Sequence, residues 1–176
     1  MTTTTFADYA ASAEARKDIE QAVLAHTLSL CEALRMNFIN ESIRRHKFFM
    51  ASAGDGKQYH IDCIAKLEKG ISEYNFVVDT GRKYHKIVMV NNQRSAHAYV
   101  DKKTGELYKA ASWKSPAKGV RFDLRIMKQR EWLLENADWA GGYLYQRGWQ
   151  AIEYIVHCIQ VHLLFPQPWL PLISIS

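Results

Sequence analysis

The chain has 176 residues, 48% hydrophobic and 23% charged, which suits one globular domain with a real core and room for an appended tail. Its net charge of +5 hides an asymmetry: residues 81–130 carry 13 Lys and Arg against 3 Asp and Glu, a balance of +10, between two mildly acidic segments. Cys31, Cys63 and Cys158 are widely spaced and odd in number, which excludes a disulfide framework, and the N-terminus lacks the basic and apolar regions of a signal peptide, so a cytoplasmic protein is expected.

Residues 8–50 show helical spacing, with Ile19, Val23, Leu30 and Leu34 on one side and Arg16, Lys17, Asp18 and Glu20 on the other. A break near Asn37 or Asn40 is predicted, giving two helices. Ala-Gly-Asp-Gly at 53–56 predicts a turn, and a short helix over 58–69 is expected to end with Gly70 at the C′ position. The period then changes from helix to strand. Tyr74, Phe76 and Val78 alternate in a first strand, Asp79-Thr80-Gly81 reads as a turn, and 84–90 and 95–100 follow as strands around Asn91-Asn92-Gln93. Asp101 to Glu106 reads as a hairpin loop with Gly105 in the left-handed position, returning into a strand over 107–111. Setting Asp101 opposite Glu106 places Tyr99 across from Tyr108.

A loop begins at Ser115-Pro116, and 120–124 predicts a short strand. A helix over 125–137 would bury Ile126, Trp132 and Leu133, and 143–145 would dock as an edge strand after Gly141-Gly142. The predicted class is α+β: N-terminal helices packed on a four- to five-stranded antiparallel β-meander, followed by a helix. One domain spans 1–150 (helical 8–70, basic meander 72–124, helix 125–137), and 151–176 is an apolar C-terminal segment. From Tyr154 to Ser176 there is no Asp, Glu, Lys or Arg, but His157, Gln160, His162, Pro166, Pro168 and Pro171 interrupt the run. A buried helix at 151–164 or a self-association surface is expected there, and no membrane span.

The basic segment interleaves cations with flat rings. Alternation puts Tyr84 and Lys86 on one strand face, and likewise His97 and Tyr99, with Lys109 on a neighbouring strand and Trp113, Lys114, Lys118 and Arg121 in the loop beyond. Nucleic acid needs cations for its phosphates and rings for exposed bases. Arg82, Lys83, Lys86, Arg94, Lys109, Lys114, Lys118 and Arg121 are therefore candidate phosphate contacts, and Trp113 with Tyr84 or Tyr99 the candidate base platforms. A free anionic nucleotide would use the same groups in a more enclosed pocket. The plain rival is that the rings pack in a core while the long cations keep their heads in water.

Catalysis finds no comparable pattern. Ser115-Pro116-Ala117-Lys118 and Lys103-Thr104-Gly105 match SxxK and KTG, but in reversed order, ten residues apart and without an SDN element. Ala53 to Lys57 lacks the phosphate-loop spacing, and neither His60 with Cys63 nor His157-Cys158 with His162 makes a four-ligand zinc set. Of the acids in the basic block, Asp101 and Glu106 belong to the hairpin, and Asp123 alone supplies no acid–base pair. No cofactor or metal is expected, and the chain reads as non-enzymatic.

The runs Gly81-Arg82-Lys83-Tyr84-His85-Lys86, Ser95-Ala96-His97-Ala98-Tyr99-Val100-Asp101 and Lys103-Thr104-Gly105 continue into Tyr108-Lys109-Ala110-Ala111-Ser112-Trp113-Lys114-Ser115-Pro116-Ala117-Lys118. With Asp138-Trp139-Ala140-Gly141-Gly142-Tyr143-Leu144-Tyr145, this pattern resembles small uncharacterised proteins of tailed bacteriophages over about residues 70–146. The resemblance carries no activity; it implies a protein at work in the cytoplasm of an infected host. Three functions stand open: a nucleic-acid-binding accessory protein, a sponge for a small anionic nucleotide such as a host-defence signal, and a structural factor that assembles with itself or with a host protein.

Overall fold

The structure, a computed structural model, describes residues 5–51, 54 and 56–145. Its first element is one unbroken helix of 45 residues, α1 (Phe6–Met50), about 68 Å long at 1.5 Å per residue. The break expected at Asn37 or Asn40 does not occur. No Gly or Pro lies within 6–50, and an Asn lowers helix propensity by less than about 1 kcal/mol. Asn37 instead ties two parts of the fold together, its Oδ1 accepting the backbone N–H of Trp139 at 3.1 Å. Val23, Thr27, Leu30, Leu34 and Phe38 recur at steps of three and four and form the buried stripe of α1. Ile19 falls beyond it and is 42% exposed, so its expected place in the core is corrected.

Helix α2 (Lys57–Glu68) packs on α1 and ends as Gly70 predicts. Gly70 has φ +75°, its N–H donates to the Leu67 carbonyl, and the Ile71 N–H reaches back to the Lys66 carbonyl. Those two bonds satisfy carbonyls the helix leaves open.

Five antiparallel strands follow in sequence order: β1 (Asn75–Thr80), β2 (Tyr84–Val90), β3 (Arg94–Asp101), β4 (Glu106–Lys109) and β5 (Phe122–Asp123). β1 runs through Asp79 and Thr80, so the turn expected at 79–81 shifts to 81–83, where the Gly81 N–H donates to the Tyr84 carbonyl at 2.8 Å. Thr80, His85, Val100, Leu107 and Phe122 align across all five strands. The last four are buried, and this face meets α1 and the later helix α3 (Met127–Asn136). Leu133 of α3 is fully buried and Trp132 stacks on Phe122 at 5.4 Å. Ile126, expected inside, stands at the N-cap with extended backbone and is 45% exposed.

Tyr99 does pair with Tyr108. The hairpin that sets this register depends on Gly105, whose φ is +71° and whose N–H donates to the Asp101 carbonyl. A Cβ there would stand 2.9 Å from Arg125 Cγ and 3.2 Å from Asp123 Oδ1. Gly105→Ala should therefore lower unfolding free energy in urea by about 1–3 kcal/mol, from backbone strain plus the close contact. Gly119→Ala is the control: φ is +90° but nothing lies within 4 Å of the new methyl, so only the backbone part remains, about 1 kcal/mol.

The segment expected as an edge strand at 143–145 is a single 3-10 turn over Gly142–Tyr145, with Tyr143 and Leu144 buried. The Asp138 carboxylate accepts the N–H groups of Gly142 and Tyr143, a local partner that competes with strand pairing. The chain divides into two units, Met1–Gln146 and Arg147–Ser176; the second, with the helix expected at 151–164, lies outside the described residues. No described helix is long and apolar enough to cross a membrane.

Candidate functional site

Side chains alternate along a strand, so the face opposite the core carries its own row: Asp79, Lys86, Tyr99 and Tyr108, in register across β1 to β4. Tyr84 shares that face and meets Tyr99 and Tyr108 edge-on at 6.0 and 6.1 Å.

The loop after β4 folds back onto this face. It closes where Ala110 bridges Pro116, and inside it the Ala111 and Ser112 N–H groups donate to the Ser115 carbonyl. Ser112 Oγ accepts from the Lys114 and Ser115 N–H groups, an arrangement that holds a tight turn. The Tyr99 hydroxyl donates to the Trp113 carbonyl at 2.6 Å, with the Ser112 carbonyl 3.0 Å away, and so pins the loop to the sheet. Tyr99 is only 4% exposed; it anchors the loop and is closed to a stacking base. Trp113 lies over Lys86, whose Nζ is 3.8 Å from the ring centroid, and stays 43% exposed.

Between this loop and the 81–83 turn lies a concavity of about 460 Å³. Arg82, Lys83, Tyr84, Lys86, Tyr99, Trp113 and Lys114 line it, joined by Asp79, Thr80 and Gly81. Asp79 takes an ion pair from Arg94 at 3.0 Å and from Lys86 at 3.8 Å. Lys83 Nζ reaches Asp101 at 3.6 Å and sits over the Tyr84 ring at 4.9 Å. Arg82 and Lys114 are exposed and make no ion pair among the described residues. The neighbouring Tyr84 phenol, then the Asp101 carboxylate, raise the Lys83 amine above its ordinary range. Burial raises the Tyr99 phenol, and burial with the Glu106 hydrogen bond (2.7 Å) raises that of Tyr108, so both are neutral at pH 7.

Seven of the eleven sequence-predicted residues thus come together, and Arg94 stands beside them on Asp79. Lys109 does not: it pairs opposite buried Ala98, and its Nζ lies 3.7 Å from the centre of the Tyr145 ring in a separate hollow with His97 and Trp139. Lys118 is exposed outside the concavity, and Arg121 is half-buried with its Nε unpartnered among the described residues. His97 and Tyr99 do not share a face. Ile87 pairs with Ala98 and Val88 with Ala96, so His97 is the extra residue of a bulge. It turns to Phe76 and to the Tyr143 hydroxyl (3.1 Å), and burial pushes its imidazole down to about 4.

The +10 block is also divided between layers. Lys102 pairs with Glu20 on α1, Arg125 with Asp123, and Arg130 donates to the Leu124 carbonyl. Asp79 is the site residue that sequence reasoning missed; only the strand register shows that it faces Lys86. Ser115, from the SxxK match, has its Oγ 2.9 Å from Ser112 Oγ inside the loop.

Residues 6–146 match a family of unknown function (DUF7717), and the match ends at the same residue as the first compact unit. No curated protein and no solved structure matches the chain.

Proposed function

Since this chain belongs to the family of unknown function DUF7717, we propose from the chemistry of its open face that it is an accessory protein binding single-stranded nucleic acid there. The observation that carries the reading is Trp113, held on a pinned loop over Lys86 and 43% exposed beside Arg82 and Lys114. A ring presented this way offers a π-face to any unstacked base, and the two exposed cations meet the phosphates on either side. Duplex bases are already stacked, so the platform favours single strands. The phage resemblance supplies the setting, an infected cell, and the neutral phenols and doubly paired Asp79 supply no base for a reaction.

The test is fluorescence anisotropy of labelled single-stranded and duplex oligonucleotides across a salt series. Log affinity for the single strand should fall linearly with log salt, with a slope of about −0.7 per phosphate met, near −1.4 for the two exposed cations Arg82 and Lys114. Trp113→Ala should weaken single-strand binding by roughly 5- to 100-fold, the loss expected for one base platform. Absence of binding to either form at low salt would sink the reading. A concavity of about 460 Å³ also fits one nucleotide, and saturable mononucleotide binding with a flat salt response would move the assignment to a nucleotide sponge.

A further inference from the structure

We propose that a second cavity, separate from the open face, binds a flat aromatic molecule carrying one anionic group. It measures about 790 Å³, within the range of small-molecule sites, and lies between α1, α2, the 71–74 segment and Trp139. None of its lining residues lines the concavity beneath Trp113.

Three features give the ligand its chemistry. Rings come first. Phe38, Tyr74 and Trp139 contact one another at 4.5–5.4 Å between centroids, and the lining also holds Phe49 with His60 stacked on it, 21° between planes. Such a lining receives a planar ring by offset or edge contact. Second, Ser42 lines the cavity, is 8% exposed, and its hydroxyl has no hydrogen bond among the described residues. The hydroxyl is open to the cavity, so a polar atom of the occupant has a ready partner there. Third, Arg45 and Lys66 outnumber Glu73 in the lining, and neither cation is ion-paired among the described residues. The excess positive charge calls for an anion.

A further pair adapts the wall to its occupant. His46 and His60 approach Nδ1 to Nδ1 at 2.9 Å, so one ring donates and the other accepts. Exchanging the two tautomers changes which outer nitrogen donates, without moving a heavy atom.

The probes are 1-anilinonaphthalene-8-sulfonate, an aromatic anion built on a flat naphthalene, and N-phenyl-1-naphthylamine, the same rings without the charge. Calorimetric titration of the full chain should give one saturable site for the sulfonate, with the neutral analogue bound at least about tenfold more weakly. Arg45→Glu with Lys66→Glu, both at exposed positions, should weaken the sulfonate at least about tenfold and leave the neutral analogue unchanged. Arg82→Glu with Lys114→Glu should change neither titration, which separates this site from the nucleic-acid reading. Non-saturable binding, equal affinity for the two probes, or loss of the sulfonate in the Arg82 and Lys114 variant overturns the assignment.

Discussion

Replacing Arg82 and Lys114 together by Glu is expected to weaken oligonucleotide binding at least a hundredfold while leaving the melting temperature unchanged. Both side chains are exposed and without an ion pair among the described residues, so the fold loses little when they change. Each charge-assisted contact to a phosphate contributes about 1.5 kcal/mol or more, and two lost contacts multiply to about 3 kcal/mol, a factor above roughly 100. The salt slope should flatten by about 1.4, roughly 0.7 for each phosphate no longer met. Lys83 and Lys86 are poorer choices for this experiment, because each already serves an acid of the sheet, Asp101 or Asp79. Reversing them would change stability and binding together. A double variant that keeps its affinity and its salt slope removes the open face from consideration.

The second large effect concerns pH and the bulge on β3. His97 lies between Phe76 and Tyr143, with Gly141 so close that a Cβ there would stand 3.3 Å from its Cε1. Burial pushes its imidazole down to about 4, against a weaker upward pull from Asp138. Above pH 6.5 folded and unfolded chains both carry a neutral ring, and His97 costs nothing. As pH falls from 6.5 towards 4 the unfolded chain takes a proton that the folded chain refuses, and the fold loses about 3 kcal/mol from this residue. Burial also lowers His26 and His85, which adds to the same trend. Urea denaturation at pH 7.5 and 4.5 should show the fall, and His97→Gln, which keeps a hydrogen-bonding group toward Tyr143, should remove the largest share. An unchanged pH dependence in that variant would place the titration elsewhere.

Much of the scaffold was legible because it rests on local rules. Gly70 and Gly105 stop a helix and close a hairpin through φ values only glycine adopts cheaply, and both sit where the sequence puts them. The strand over 84–90 stands where the sequence puts it, and the hairpin length alone set Tyr99 against Tyr108. The misreadings have two causes. Asn37 looked like a helix breaker until Trp139, 102 residues away, proved to be its partner. The 143–145 segment looked like a strand until Asp138 capped it. His97 looked like a neighbour of Tyr99 until the bulge turned it inward. Asn37 and His97 depend on a partner or register that no local window contains, whereas Asp138 is a cap only four and five residues away that the strand reading passed over.

The candidate site divides along the same line. By itself the sequence determined that cations and rings crowd residues 81–121, and that a hairpin and a Trp-Lys-Ser-Pro-Ala-Lys loop carry them. Only the tertiary structure decided which of those residues meet. Charge counting treats every lysine alike, but strand alternation sends Lys86 to one face of the sheet and Lys109 to the other, while Lys102, in the turn after β3, pairs with Glu20 on α1. Likewise Tyr99 and Trp113 are equivalent as aromatic letters. One is buried as the pin beneath the loop, and the other stays exposed on that loop, which the Tyr99 hydroxyl ties down to the sheet.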